Sequence, residues 1–165
     1  MITPQYVQTM ARYNGWQNRN LYLAASTLED AARRMDRGAF FGSIHDTLSH
    51  ILLGDSIWMS RFDNWEPPQN GIPNPASFAP DWADLVTRRR AADDRIIDWA
   101  KRVKSGDLNG ELSWYSGAMD QTFTKPRTLL ITQMFNHQTH HRGQVHAMLT
   151  AAGTKPDVTD LPFMK

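Results

Sequence analysis

The chain has 165 residues, of which 41% are hydrophobic, and it carries six Trp and seven Phe, enough bulk for one sizeable buried core. Its formal charge of +1 gives no electrostatic case for nucleic acid or an anionic membrane as partner. It has no Cys, which excludes disulfides, thiolate metal ligands and a cysteine nucleophile.

No apolar run is long enough to span a bilayer, and Met1-Ile2-Thr3-Pro4-Gln5 has no basic segment leading into an apolar one. The expectation is a cytoplasmic protein forming one domain over 1–165.

Thr3-Pro4 reads as an N-cap followed by proline in the first helical turn. Behind it, Tyr6, Met10, Tyr13, Gln17, Leu21, Ala24 and Leu28 share one helical stripe, which should fade between Arg33 and Gly38. Gln17 interrupts that stripe, with Asn14 and Asn20 beside it. Such polar groups need partners, either across helices or near a polar pocket.

Ser43 is the next N-cap, with Asp46 three positions on as in a capping box. Thr47, His50, Gly54, Ile57 and Arg61 then line one face, flanked by Leu48, Ile51, Leu52 and Trp58. His45 falls close to the opposite face from His50, so His50 is expected to be the inward one. Residues 64–80 are too rich in Pro, Asn and Gly to be regular, and Trp58 and Trp65 suggest that this long connection packs.

Asp81 caps a third helix, with Trp82, Leu85, Val86, Ile96, Ala100 and Val103 on its apolar side and Gly106 as its stop. Arg89 and Asp93 read as an ion pair at the bundle edge. Leu112, Trp114 and Tyr115, then Ser116-Gly117, then Thr122, Phe123 and Thr124 read as a short hairpin. A lone two-stranded hairpin is marginal, so this one should lie against the helices, where it is a candidate pocket wall. Pro126 opens a last helix running to about Ala152, with Gly153 as its stop. Four long helices with one long middle connection predict an all-α four-helix bundle.

The chemistry concentrates in the last helix. His137 and His141 are four residues apart, so both imidazoles project from one face, one turn above the other. Two nitrogens do not close a metal site, and His50, on the apolar side of the second helix, is the candidate third ligand. Burying three imidazoles without partners would cost about 1–3 kcal/mol for each unsatisfied group. A shared cation removes that cost and leaves a coordination position open. His140 stands to one side, as an interface or supporting residue, and His146 should face outward. Arg142 reads as off the inner face, paired with Asp46 or Asp55. Gly143 is expected to permit close helix approach. Gln144 is placed to hydrogen-bond a ligand imidazole and fix its tautomer.

Three stretches together carry a family likeness: Tyr13-Asn14-Gly15-Trp16-Gln17-Asn18, then Ser43-Ile44 to Ser49-His50-Ile51, then Asn136-His137-Gln138-Thr139-His140-His141-Arg142-Gly143-Gln144. The chain resembles the damage-inducible DinB family over essentially its whole length. The resemblance implies a bundle of DinB/YfiT type with up-down-down-up connection. It implies a divalent metal, nickel or zinc, on His50, His137 and His141, and a homodimer.

The wider superfamily includes bacillithiol and mycothiol S-transferases and a thiol-dependent maleylpyruvate isomerase, so the resemblance points to a metal-dependent S-transferase using an external low-molecular-weight thiol. Two other readings stay open. One is a metal-dependent hydrolase, for which Asp46 is the available general base. The other is a non-catalytic metal-binding stress-response dimer. No further residue is assigned a catalytic role.

Overall fold

The computed structural model describes residues 2–68, 78–117 and 119–164. These residues form α1 (Pro4–Ser26), a short α2 (Asp30–Arg34), α3 (Ile44–Phe62), α4 (Trp82–Arg102) and α5 (Arg127–Ala151). A hairpin of β1 (Glu111–Ser116) and β2 (Gln121–Pro126) directly precedes α5. Its strands pair antiparallel from Glu111 opposite Pro126 to Ser116 opposite Gln121.

The helix starts follow their capping residues. Thr3 Oγ1 accepts from the Tyr6 amide at 3.2 Å, Ser43 Oγ from the Asp46 amide at 3.1 Å, and Asp81 Oδ1 from the Asp84 amide at 2.8 Å. Each satisfies one of the amides that a helix leaves orphaned at its first turn. The Ser43–Asp46 pair is only half a capping box, because the Ser43 amide donates to the Phe41 carbonyl.

The stops are less regular. The first helix ends at Ser26 instead of fading past Arg33, and α2 is a separate turn. The Arg33 guanidinium folds back to donate to the Ala25 and Leu28 carbonyls and stacks over Trp82 at 4.6 Å. It thereby closes the end of α1. Likewise α4 stops at Arg102, and Gly106 lies in the following 3-10 turn, Ser105–Leu108.

Contacts between helices fix their directions. Gly15 lies beside Ile97, Asn18 bonds Asp93 and Tyr22 stacks on Trp82, so α1 and α4 run antiparallel. His50 meets His141 while Gly54 meets His137, so α3 and α5 also run antiparallel. His45 packs near Trp82, Asp55 pairs with Arg89 and Phe62 stacks on Trp99, which makes α3 and α4 parallel. The result is the up-down-down-up bundle.

Because α3 and α4 are parallel, their connection must return the length of α3, about 28 Å at helical rise. Both ends of that connection are anchored. Trp65 is buried beneath Arg95, and Ala79 donates to Ser49 Oγ at 3.0 Å while its carbonyl meets His45 Nε2 at 2.9 Å. The Pro- and Asn-rich middle, 69–77, lies outside the described residues. The hairpin packs Trp114 against Trp58, with Arg61 stacked over both rings. Trp58 is about 12 Å along α3 from His50, so the hairpin braces the far half of that helix.

The core is mainly aliphatic and aromatic, but a charge cluster runs through it. Arg89 is 2% exposed. It pairs with Asp55 of α3 at 2.6 Å and with Asp93 of its own helix at 2.8 Å. Asn18 of α1 donates to Asp93 at 2.8 Å, and Gln138 of α5 donates to Asp55 at 2.5 Å. The expected edge pair is therefore at the centre and touches all four long helices. Burial raises the Asp93 carboxyl above its ordinary range even against the pull of Arg89.

Removing the guanidinium would strand two buried carboxylates. Arg89→Met is expected to cost about 3–5 kcal/mol, read as a lowered midpoint in urea unfolding followed by circular dichroism.

Candidate metal centre

The long helices α3 and α5 bring His50, His137 and His141 together. Their ring centroids are 5.0, 4.8 and 4.6 Å apart, and one ligand nitrogen from each lies within 4.8 Å of the others. Nε2 of His50 faces Nε2 of His137 at 3.0 Å. His141 turns its Nδ1 to Gln144 Oε1 at 2.8 Å, which leaves its Nε2 toward the other two rings. Gln144 thus does what its position one turn on suggested: as acceptor it fixes the Nδ1–H tautomer.

All three rings are biased toward the neutral form. Burial, followed by the neighbouring imidazoles, pushes His50 down to about 3. Burial lowers His137 and His141 as well. Neutral imidazole is the form that offers a lone pair to a cation.

A further observation fits a metal at this point. A Cβ built on Gly54 would stand 2.9 Å from Cε1 of His137, so the hydrogen-only side chain of Gly54 is the seat of that ring. Glycine inside a helix costs about 1 kcal/mol relative to alanine, and here the bare backbone makes room for a ligand. Three neutral nitrogens are a donor set suited to zinc, nickel, copper or iron.

The remaining candidates separate from this cluster. His45 is 0% exposed, more deeply buried than His50, and serves the Ala79 carbonyl. His140 is exposed, packs edge-on against His141 at 4.8 Å and meets Gln144 Nε2 at 3.4 Å. His146 is half-buried and lines a cavity of about 290 Å³ with Tyr13, Gln17 and Arg142, instead of facing fully outward. Arg142 is buried against α1, where it donates to Asn14 Oδ1 and, at 3.2 Å, to Thr139 Oγ1, in place of a salt bridge to Asp46 or Asp55. Gln17 donates to the Val158 carbonyl at 3.0 Å, so it ties down the C-terminal tail and takes no part in the cluster. Gly143 is exposed and nothing approaches it; the close approach belongs to Gly54.

Sequence reasoning missed Phe41, which lies on the His50 ring at 3.8 Å, and Gln138, which bonds Asp55. Phe41 sits in a turn with no periodicity to mark it. Gln138 could have been found, since it stands one residue after a ligand candidate.

Fold and site together define a helical bundle with a histidine triad positioned to hold a divalent metal ion. The DinB family model matches residues 1–165, and the chain belongs to that family. It is 27% identical over 158 residues to Protein DinB of Bacillus subtilis (strain 168), covering 90% of this chain and 87% of the relative. The crystal structure of a DinB-like protein from Bacillus cereus ATCC 10987 superposes with a TM-score of 0.63 at 14% identity, over 87% of this chain and 90% of that one. At that identity the likeness speaks for the fold alone.

Two substitutions test the site without removing a ligand. Gly54→Ala should keep the helix while displacing His137, lowering metal affinity at least about tenfold. Gln144→Leu frees the His141 ring to turn and should weaken metal binding by about 10–100-fold. Both are read by competition titration with a chromophoric chelator.

Proposed function

We propose that the chain is a divalent-metal-dependent transferase of thiol S-transferase type, using an external low-molecular-weight thiol. Its metal ligands are His50, His137 and His141, and the ion is nickel or zinc. The observation that carries this reading is the number of donors. Three imidazoles converge, and among the described residues no acidic side chain joins them. Structural zinc sites close with four protein ligands, whereas a three-ligand site keeps a position for an incoming molecule. A divalent ion in that position would lower the pKa of a bound thiol and supply a thiolate at neutral pH.

What the protein itself supplies is orientation and an aromatic cover. Gln144 fixes the His141 ring, Gly54 seats His137, and Phe41 covers one face of His50. The chain contains no thiol to compete for the ion.

The hydrolase reading is weaker, because it needs a general base beside the site. Asp55 is engaged by Arg89 and Gln138, and Asp46 is not in the cluster. Among the described residues no helix is long and apolar enough to cross a membrane. The reading places the protein in the cytoplasm as a homodimer of single-domain chains, supported by family resemblance.

With cobalt or nickel in the site, titration with small thiols should produce a sulfur-to-metal charge-transfer band. His137→Ala should abolish both stoichiometric metal and band. A loaded protein whose spectrum no thiol alters would overturn the thiol reading.

A further inference from the structure

The turn between α2 and α3 carries two consecutive phenylalanines beside the triad. Phe41 stacks on the His50 imidazole at 3.8 Å with 27° between the planes, and tilts against His141 at 5.4 Å. Phe40 stands edge-on to Phe41 at 4.9 Å. It is 82% exposed, more than any other large apolar side chain among the described residues.

The backbone holding these rings is tightly turned. Gly38 and Gly42 adopt φ of +70° and +74°, a region where a Cβ is strained. The Gly42 amide donates to the Ala39 carbonyl at 2.7 Å, and the Arg37 amide to the Gly42 carbonyl at 2.9 Å. The Gly38 amide donates to Asp36 Oδ1 at 2.9 Å. The rings are thus presented from a hydrogen-bonded loop.

A single exposed apolar side chain needs no explanation. Phe40 differs because its ring continues through Phe41 onto two of the three imidazoles. Beyond His141 the surroundings are polar, with His140 and Gln144 in contact. The site therefore has an aromatic side and a polar side. Apolar pocket walls with a few fixed polar groups are how small-molecule sites set orientation.

We propose that Phe40 and Phe41 form the apolar wall of the substrate site, and that the molecule bound at the triad carries an aromatic group close to its metal-binding atom. Phe40 is the specificity-determining residue, since its ring is free to be covered. This inference rests on the reading that the triad holds a metal with an open position, but it does not require thiol chemistry.

The test uses cobalt-loaded full-length protein with acetohydroxamate and benzohydroxamate, which share donor atoms and differ in a phenyl group. Affinities are read from the cobalt absorption bands and normalised to the same pair with cobalt in solution. Benzohydroxamate is expected to bind at least about tenfold tighter than acetohydroxamate beyond the solution ratio. Phe40→Ala should cut that preference several-fold, and Phe41→Leu should reduce it while keeping apolar bulk over His50. Phe40 is exposed, so its replacement tests recognition without emptying the core. Equal normalised affinities in the wild-type protein, or a preference unchanged in Phe40→Ala, would overturn the aromatic wall alone. If neither hydroxamate alters the cobalt spectrum, the open metal position fails, and the wall fails with it.

Discussion

The structure depends on one guanidinium. Arg89 holds Asp55 of α3 and Asp93 of α4, and through their second partners, Gln138 and Asn18, it reaches α5 and α1. Apolar side chains alone would let helices slide with modest change in buried area, because dispersion and hydrophobic burial are weakly directional. A buried ion pair does not permit that. Slipping α5 by one turn, about 5.4 Å, would leave charge and amide groups unpaired in the core. Buried pairs add little net stability over a well-packed apolar core. Here the pair specifies a register, and that register is what the site needs. Asp55 follows Gly54 and Gln138 follows His137, so the bond between them sets His137 over the glycine and beside His50.

Above that pin, the site is a matter of collecting like groups. Three neutral imidazoles are held within a few ångströms, where protonation of any one is opposed by burial and by its neighbours. Gln144 orients one ring, a missing Cβ admits a second, and an aromatic face covers the third. Each support comes from a different kind of interaction, and none brings a further charge to the cluster.

Much of this was readable from the sequence where the signal is local. The caps at Thr3, Ser43 and Asp81 act over three residues, so sequence spacing contains them. The His137–His141 pair and Gln144 lie within two turns of one helix and could be projected from period alone. His50 followed from its stripe.

The errors fall where depth or long-range contact decides. Arg89 and Asp93 at four-residue spacing look alike on a surface and in a core; only Asp55, 34 residues from Arg89, distinguishes the cases. Arg142 is buried because Asn14, 128 residues away, receives it. His45 is inside because the returning connection brings Ala79 over it. Phe41 has no periodic context, and its partner is a ring in the next helix.

The bundle's connectivity also constrains when a cation can be captured. His50 and His137 are separated by 87 residues, and α5 is made well after α3. A nascent chain that has released α3 offers a solitary imidazole, too weak a hook to retain an ion. The three imidazoles therefore come together only once α3 and α5 have packed, so the donor set belongs to the folded bundle and to neither helix alone.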